Sequence, residues 1–230
     1  MVAIGRLKTN KKGNRDMTEF TKEFWDSKYP KIVKLYYGRQ IEDFYNVAAD
    51  VKCFITKNDY AVQALLQERV FEKPVEEIRH MSEDDRVATI QKWVIKHVKY
   101  VGEGNSKQSD FWQFPFETIA MLTGDCEDGC SLICSMLIES GFEPWRVRNT
   151  CGWVQESPTA PQGGHSYCTL VTQDNRVVPV DWCYLPQLQT LDKRPTVKDL
   201  AFYKDVWFSF NNEFCWSHEN QTTFSGRVRK

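Results

Sequence analysis

The stretch Thr123-Gly124-Asp125-Cys126-Glu127-Asp128-Gly129-Cys130, running on through Ser131-Leu132-Ile133-Cys134-Ser135-Met136-Leu137-Ile138-Glu139-Ser140 to Gly141, decides how the rest of the chain is read. It opens as a turn and continues as a helix. Asp125 stands at the N-cap position, with Asp128 three residues on where a capping box places its acidic partner. Both carboxylates favour the positive end of a helix. Cys130, Ile133, Cys134, Leu137 and Ile138 recur at i, i+3, i+4, i+7 and i+8, the stripe of a helix with one buried face. Gly141 fits the C′ stop. Cys126 therefore falls in the first turn, four residues before Cys130 and on the inward side. The helix tip favours thiolate there, the form that attacks a carbonyl carbon. Asp125, Glu127 and Asp128 act the other way, because negative charge near a thiol raises its pKa.

Outward toward the N-terminus, residues 115–122 form a second helical stretch leading into the Cys126 turn. Residues 82–98 read as a longer helix, with Ser82 and Asp85 at N-cap and N3 and with Val87, Ile90, Trp93, Val94 and Val98 at helical spacing. Between them residues 99–110, rich in Gly, Asn, Ser and charge, read as a loop. Residues 58–72 are helical up to Pro74. Residues 16–46 mix aromatics with charge around Pro30, the pattern of one or two short helices. Beyond Gly141 the period changes to two. Residues 145–154, 165–172, 176–182 and 206–210 read as strands, and Pro179 calls for an edge position or a bulge in the third of these.

Composition bounds the function. A chain of 230 residues holds one well-buried core, so residues 18–230 are expected as a single domain, with a mostly helical region at 18–100 and a catalytic core at 110–210. Residues 1–17 carry Arg6, Lys8, Lys11, Lys12 and Arg15 without an apolar block, as a basic flexible tail does. Thirty basic against 31 acidic residues leave a net charge of -1, which gives no reason to expect nucleic acid or an anionic membrane as partner. No apolar run is long enough to span a bilayer, and the expected location is cytoplasmic. Eight cysteines without a CxxC pair suggest buried thiols rather than a disulfide framework. Cys126, Cys130 and Cys134 make a poor zinc site, since i and i+8 lie about 12 Å apart along a helix. Neither a metal nor another cofactor is expected.

The pair of strands around Gln173-Asp174-Asn175 turns spacing into chemistry. With those three residues as the loop, paired positions place His165 and Asp181 on one face as diagonal neighbours, within reach of an imidazole–carboxylate hydrogen bond. A two-residue loop without a bulge puts them on opposite faces. Cys126 as nucleophile, His165 as general base and acid, and Asp181 to orient the imidazole meet the needs of thiol acyl transfer. The Cys126 N–H supplies one oxyanion donor. Gln113 is the candidate for a second, with the Trp112 indole behind it. Trp153 and Trp182 are either cleft walls or core, and His80, His97 and His218 carry no partner pattern.

These residues also carry a resemblance. Gly124-Asp125-Cys126-Glu127-Asp128, then Gly163-Gly164-His165 before a strand and Val180-Asp181-Trp182 on the next, resemble the transglutaminase-like superfamily of cysteine enzymes, and are similar to the bacterial transglutaminase-like cysteine proteinases. The resemblance covers about residues 110–184. It implies an α+β, papain-like core in which a nucleophile helix packs on an antiparallel sheet supplying His and Asp, and it places Trp112-Gln113-Phe114-Pro115 within the motif. It implies a peptide or protein substrate and leaves the reaction open; with no acidic cluster that reads as a calcium site and no CxxC pair, the expected reaction of the Cys-His-Asp triad is hydrolysis of a peptide or amide bond through a thioester. Two alternatives stay open: a protein-glutamine transamidase, and a catalytically silent peptide-binding module of the same fold. The oligomeric state is not legible.

Overall fold

The helix expected after the Asp125 turn is α6 (Cys126–Glu139), in a computed structural model that describes residues 20–29, 31–32, 36–41, 45–102 and 111–218. Both of its ends follow from the sequence. Asp125 is the N-cap, and its N–H donates to Asp128 Oδ2 at 3.2 Å. At the far end Gly141 takes φ +103°, which costs glycine little because it has no Cβ. The Phe142 N–H then reaches the Leu137 carbonyl at 3.1 Å and the Gly141 N–H the Ile138 carbonyl at 3.0 Å, a Schellman stop.

One expectation is corrected here. The apolar stripe predicts a single inward face, but every residue from 127 to 139 is buried, because the helix runs through the middle of the molecule. Its polar side chains are matched to partners, as burial requires. Ser135 Oγ accepts the Thr56 N–H at 3.0 Å, and the Glu139 carboxylate accepts the Asp59 N–H at 3.0 Å and Gln63 Nε2 at 3.1 Å.

On one side of α6 lie helices. α1 (Lys22–Lys28) is followed later in the chain by α2 (Tyr60–Leu65), which continues as a π-helical turn at Leu66–Val70, then α3 (Val75–His80), α4 (Glu83–His97) and α5 (Pro115–Met121). Ser82 caps α4, its Oγ accepting the Asp85 N–H at 3.1 Å as the capping pattern predicts. α3 was not legible, since Pro74 reads as a stop and here opens a new helix from the N-cap position.

On the other side is an antiparallel sheet of six strands among the described residues, in the order β1-β10-β9-β6-β7-β8. Its strands are β1 (Lys31–Ile32), β6 (Val147–Val154), β7 (Gly163–Val171), β8 (Val177–Val180), β9 (Tyr203–Phe210) and β10 (Cys215–Ser217). β8, which contains Pro179, is an edge strand, as a residue without an N–H demands. Cys130, Ile133 and Leu137 of α6 share one core cluster with Cys168, Leu170, Val178, Val180, Phe208 and Phe210 of the sheet. The class is α+β, as expected.

Two other pairings depart from the sequence reading. β2 (Tyr36–Ile41) and β3 (Tyr45–Asp50) form an antiparallel ladder where short helices were expected; among the described residues of that region only α1 is helical. The aromatic and β-branched residues of the segment, Tyr36, Tyr37, Ile41, Tyr45 and Val47, favour pleated backbone. β4 (Lys99–Tyr100), expected in a loop, pairs in parallel with β5 (Thr123–Gly124), and so ties the end of α4 to the turn that carries Cys126. The basic segment 1–17 and most of the 99–110 loop lie outside the described residues. Among the described residues, which include all eight cysteines, no disulfide forms. No helix there is long and apolar enough to cross a membrane.

Candidate active site

The hairpin of β7 and β8 has the three-residue loop that the site requires. The Thr172 N–H donates to the Arg176 carbonyl at 2.9 Å, and Asn175 takes the left-handed φ of 63° that closes such a loop. Val171 then faces Val177 and Cys168 faces Val180. In this register His165 and Asp181 meet: Nε2 lies 2.8 Å from Oδ2, and both side chains are wholly shielded from solvent.

Asp181 is held from three directions. Tyr203 of β9 donates its hydroxyl to Oδ2 at 3.0 Å, the Cys183 N–H reaches Oδ1 at 3.2 Å, and Gln91 Nε2 of α4 grips the Asp181 carbonyl at 2.5 Å. Burial works to raise the carboxyl, but the hydrogen bond and charge of His165, with the Cys183 and Tyr203 donors, hold it below the usual aspartate range. Ionised, it fixes the proton on Nε2 and leaves Nδ1 as the basic nitrogen. Nδ1 is buried without a hydrogen-bond partner among the described residues.

Cys126 sits at the tip of α6, with the backbone N–H of Ser166, the residue after His165, directed at its sulfur. Trp182 Nε1 donates to the Cys126 carbonyl at 3.3 Å, which joins the strand end beyond Asp181 to the helix tip. The thiol is not hydrogen-bonded to His165; it points instead to Glu127 Oε2 at 3.2 Å. Burial first, then the charges of Glu127 and Asp125, push it well above the ordinary cysteine value, with only the Ser166 N–H pulling down. The pull of the helix tip toward thiolate is therefore opposed by burial and by two carboxylates, both of which favour the thiol.

Asp128 has a part the sequence reading missed. Its Oδ1 accepts the Gln113 N–H at 2.7 Å while Oδ2 accepts the Asp125 N–H, so one buried carboxylate clasps the segment before α5 to the Cys126 turn. Gln113 Oε1 accepts the Thr118 hydroxyl at 3.1 Å, leaving the amide N–H₂ as the donor end. Trp112 is in the core, its ring against Phe54 and Phe210 at 5.3 and 5.8 Å, so it packs where Gln113 offers a donor. Trp182 is buried against α6, whereas Trp153 is exposed and set edge-on to Trp207. Tyr184 lies edge-on to His165 at 4.8 Å, and its hydroxyl meets that of Tyr100 at 3.0 Å. Tyr100 and Tyr184, with Trp182 and Cys183, line a cavity of about 340 Å³.

Two clusters bring metal-ligating atoms within 4.8 Å of one another, His165 with Asp181 and Cys183, and Asp125 with Glu127 and Asp128. The first is held together by the His165–Asp181 bond. In the second, both oxygens of Asp128 already accept backbone N–H groups.

The residues sequence reasoning missed are Gln91, Tyr203 and Tyr184. Gln91 left a signal, for it is a polar residue on the buried side of α4 beside Ile90 and Val94, where an amide needs a partner. Tyr203 left none.

Neither the protein-family models nor the curated proteins give a match to this sequence. Among solved structures the likeness is to LapG. The calcium-bound form of Legionella pneumophila LapG superposes with a TM-score of 0.49 at 17% identity, over 62% of this chain and 73% of that one. A second structure of Legionella pneumophila LapG gives 0.47, also at 17% identity, over 62% of this chain and 71% of that one. A protein of Cytophaga hutchinsonii solved as a candidate cysteine protease gives 0.36 at 18% identity, over 75% of this chain and 56% of that one. At this level the likenesses carry nothing about the reaction, which rests on the residues of this chain.

Proposed function

We propose that the protein is a cysteine-dependent acyl-transfer enzyme that hydrolyses a peptide or amide bond, with Cys126 as nucleophile, His165 as base and acid, and Asp181 as its orienting partner. The observation that carries this reading is the solvent-shielded His165–Asp181 pair, its second nitrogen without a hydrogen-bond partner among the described residues, on the strand whose next backbone N–H favours the charged form of the Cys126 sulfur.

The thiol first turns from Glu127 to His165 Nδ1, a side-chain rotation of the kind that substrate binding completes. Nδ1 takes the thiol proton as sulfur bonds to the carbonyl carbon. The resulting oxyanion is met by the Cys126 N–H and the Gln113 amide. Collapse breaks the carbon–nitrogen bond, and the departing amine takes the proton from Nδ1. Water, giving its proton to the same nitrogen, then attacks the thioester; sulfur leaves, regains that proton, and the acid is released. Asp181 keeps its grip on Nε2–H throughout.

Iodoacetamide tests the site. Cys126 is expected to alkylate faster than any other cysteine, and His165→Ala to remove that advantage; equal labelling of all accessible thiols in the native protein would indicate a silent peptide-binding module. Incubation with a glutamine-containing peptide and a primary amine separates the reactions by mass. Free acid supports hydrolysis, and amine incorporation as the main product means a transamidase.

A further inference from the structure

The sheet has a second cavity, of about 400 Å³, lined by Trp25 and Tyr29 of the α1 region, by Arg148 of β6, and by Tyr167 and Tyr203 of β7 and β9. Its charge is one-sided. Arg148, Arg176, Lys28, Lys198 and Lys204 face it, and among the described residues that line it there is no carboxylate. Arg176 is engaged, since its Nε donates to Asp174 at 2.6 Å. Arg148 is not.

Arg148 is 1% exposed, and neither Nη1 nor Nη2 has a hydrogen-bond partner among the described residues. Its guanidinium carbon lies over Trp25, 3.2 Å from the ring centroid, with Trp216 at 5.4 Å, so the cation is met by aromatic faces while the two-pronged edge is left over. Trp25 Nε1 beside it is likewise buried without a partner among the described residues. A buried cation with no counter-charge is costly, and burial pushes this guanidinium down to about 9. Nearby His218 offers no negative charge: it is pushed down to about 3 by burial, then by Arg148 and Lys28, and its Nε2 lies 2.8 Å from Ser209 Oγ.

A guanidinium edge of this kind matches a carboxylate or a phosphate bidentately, and the aromatic walls match a flat apolar body. We propose that this cavity binds a small aromatic anion, whose carboxylate or phosphate head takes Arg148 Nη1 and Nη2 and whose ring lies among Trp25, Tyr29 and Tyr167. Tyr203 makes the site more than a passive pocket. Its ring forms part of the wall while its hydroxyl holds Asp181, so an occupant leans on the residue that orients His165. The binding claim is independent of any catalysis by Cys126.

Titration calorimetry on the full chain tests it with benzoate and phenyl phosphate, against acetate and inorganic phosphate as heads without a body. At least one aromatic anion is expected to bind saturably, about ten-fold tighter than its bodiless counterpart. The preferred head identifies carboxylate or phosphate chemistry. Arg148→Met is expected to lose about ten-fold or more in affinity. Should that variant fail to unfold cooperatively, Lys198→Glu with Lys204→Glu at the cavity carries the test, with a several-fold loss expected. No saturable binding of either aromatic anion, equal binding of the bodiless ions, or affinity untouched by the folded variants would overturn the proposal.

Discussion

At the residue scale, the Cys126 environment restrains the proposed nucleophile as much as it equips it. The thiol is raised by burial, then by Glu127 and Asp125, and Glu127 also holds it by a hydrogen bond at 3.2 Å. Glu127→Gln removes a negative charge next to the sulfur, so the thiolate becomes less costly. The alkylation profile of Cys126 against pH is expected to move about one unit toward lower pH, with faster labelling at neutral pH. An unmoved profile would mean that burial alone sets the thiol. In the proposed triad Tyr203 acts through Asp181, as a positioning residue. Tyr203→Phe withdraws a hydroxyl that favours the ionised carboxylate, so the Asp181 pKa rises and the acid limb of the hydrolysis profile moves to higher pH. A fall in kcat of about ten-fold with little change in KM is expected, the size of one hydrogen bond to a charged group. A purely structural tyrosine would lower the yield of folded enzyme and leave the profile in place.

At the element scale, what positions the site is the approach of α6 to the strand end that follows β8. A Cβ on Gly129 would come within 2.3 Å of the Trp182 ring, so only glycine lets the helix settle there, and the Trp182 bond to the Cys126 carbonyl depends on that contact. Gly129→Ala is expected to lower stability by about 1–3 kcal/mol, a drop of several degrees in Tm by scanning calorimetry. A variant as stable as the wild type would show that Trp182 can move aside. The helix and the hairpin were the legible parts of the chain, because each is fixed locally. Asp125, Asp128 and Gly141 set the ends of α6, and Gln173-Asp174-Asn175 sets the register that pairs His165 with Asp181. What escaped was non-local. Tyr203 meets Asp181 from 22 residues away and Gln91 from 90, and no spacing rule reaches that far. The strands at 36–41 and 45–50 escaped for another reason, since aromatics mixed with charge fit a short helix and a strand equally well until a partner strand decides.

At the scale of the whole molecule, the helical layer and the sheet are pinned by charge as well as by apolar packing. Glu83, in the first turn of α4, takes Arg146 at 2.6 and 2.7 Å through both oxygens, and Gln173 of the β7–β8 loop at 3.1 Å. Burial works to raise its carboxyl, but the Arg146 hydrogen bonds and charge hold it below the usual glutamate value. Asp181 is lowered in the same sense. A carboxyl lowered by folding binds fewer protons in the native state than in the unfolded chain, so its contribution is present above the unfolded pKa, near 4, and is lost as pH falls through the folded one. Denaturant unfolding followed from pH 7 down to about 3 should therefore show stability falling across the acid range. Glu83→Gln should cost about 1–3 kcal/mol at pH 7, where the ion pair is intact, and converge on the wild type at the acid end. Because Glu83 lies outside the Cys126–His165–Asp181 constellation, the folded variant should keep its alkylation rate at Cys126. Parallel stability curves, separated by a constant amount at every pH, would show that Glu83 holds the layers through packing and neutral hydrogen bonds, with its charge contributing nothing.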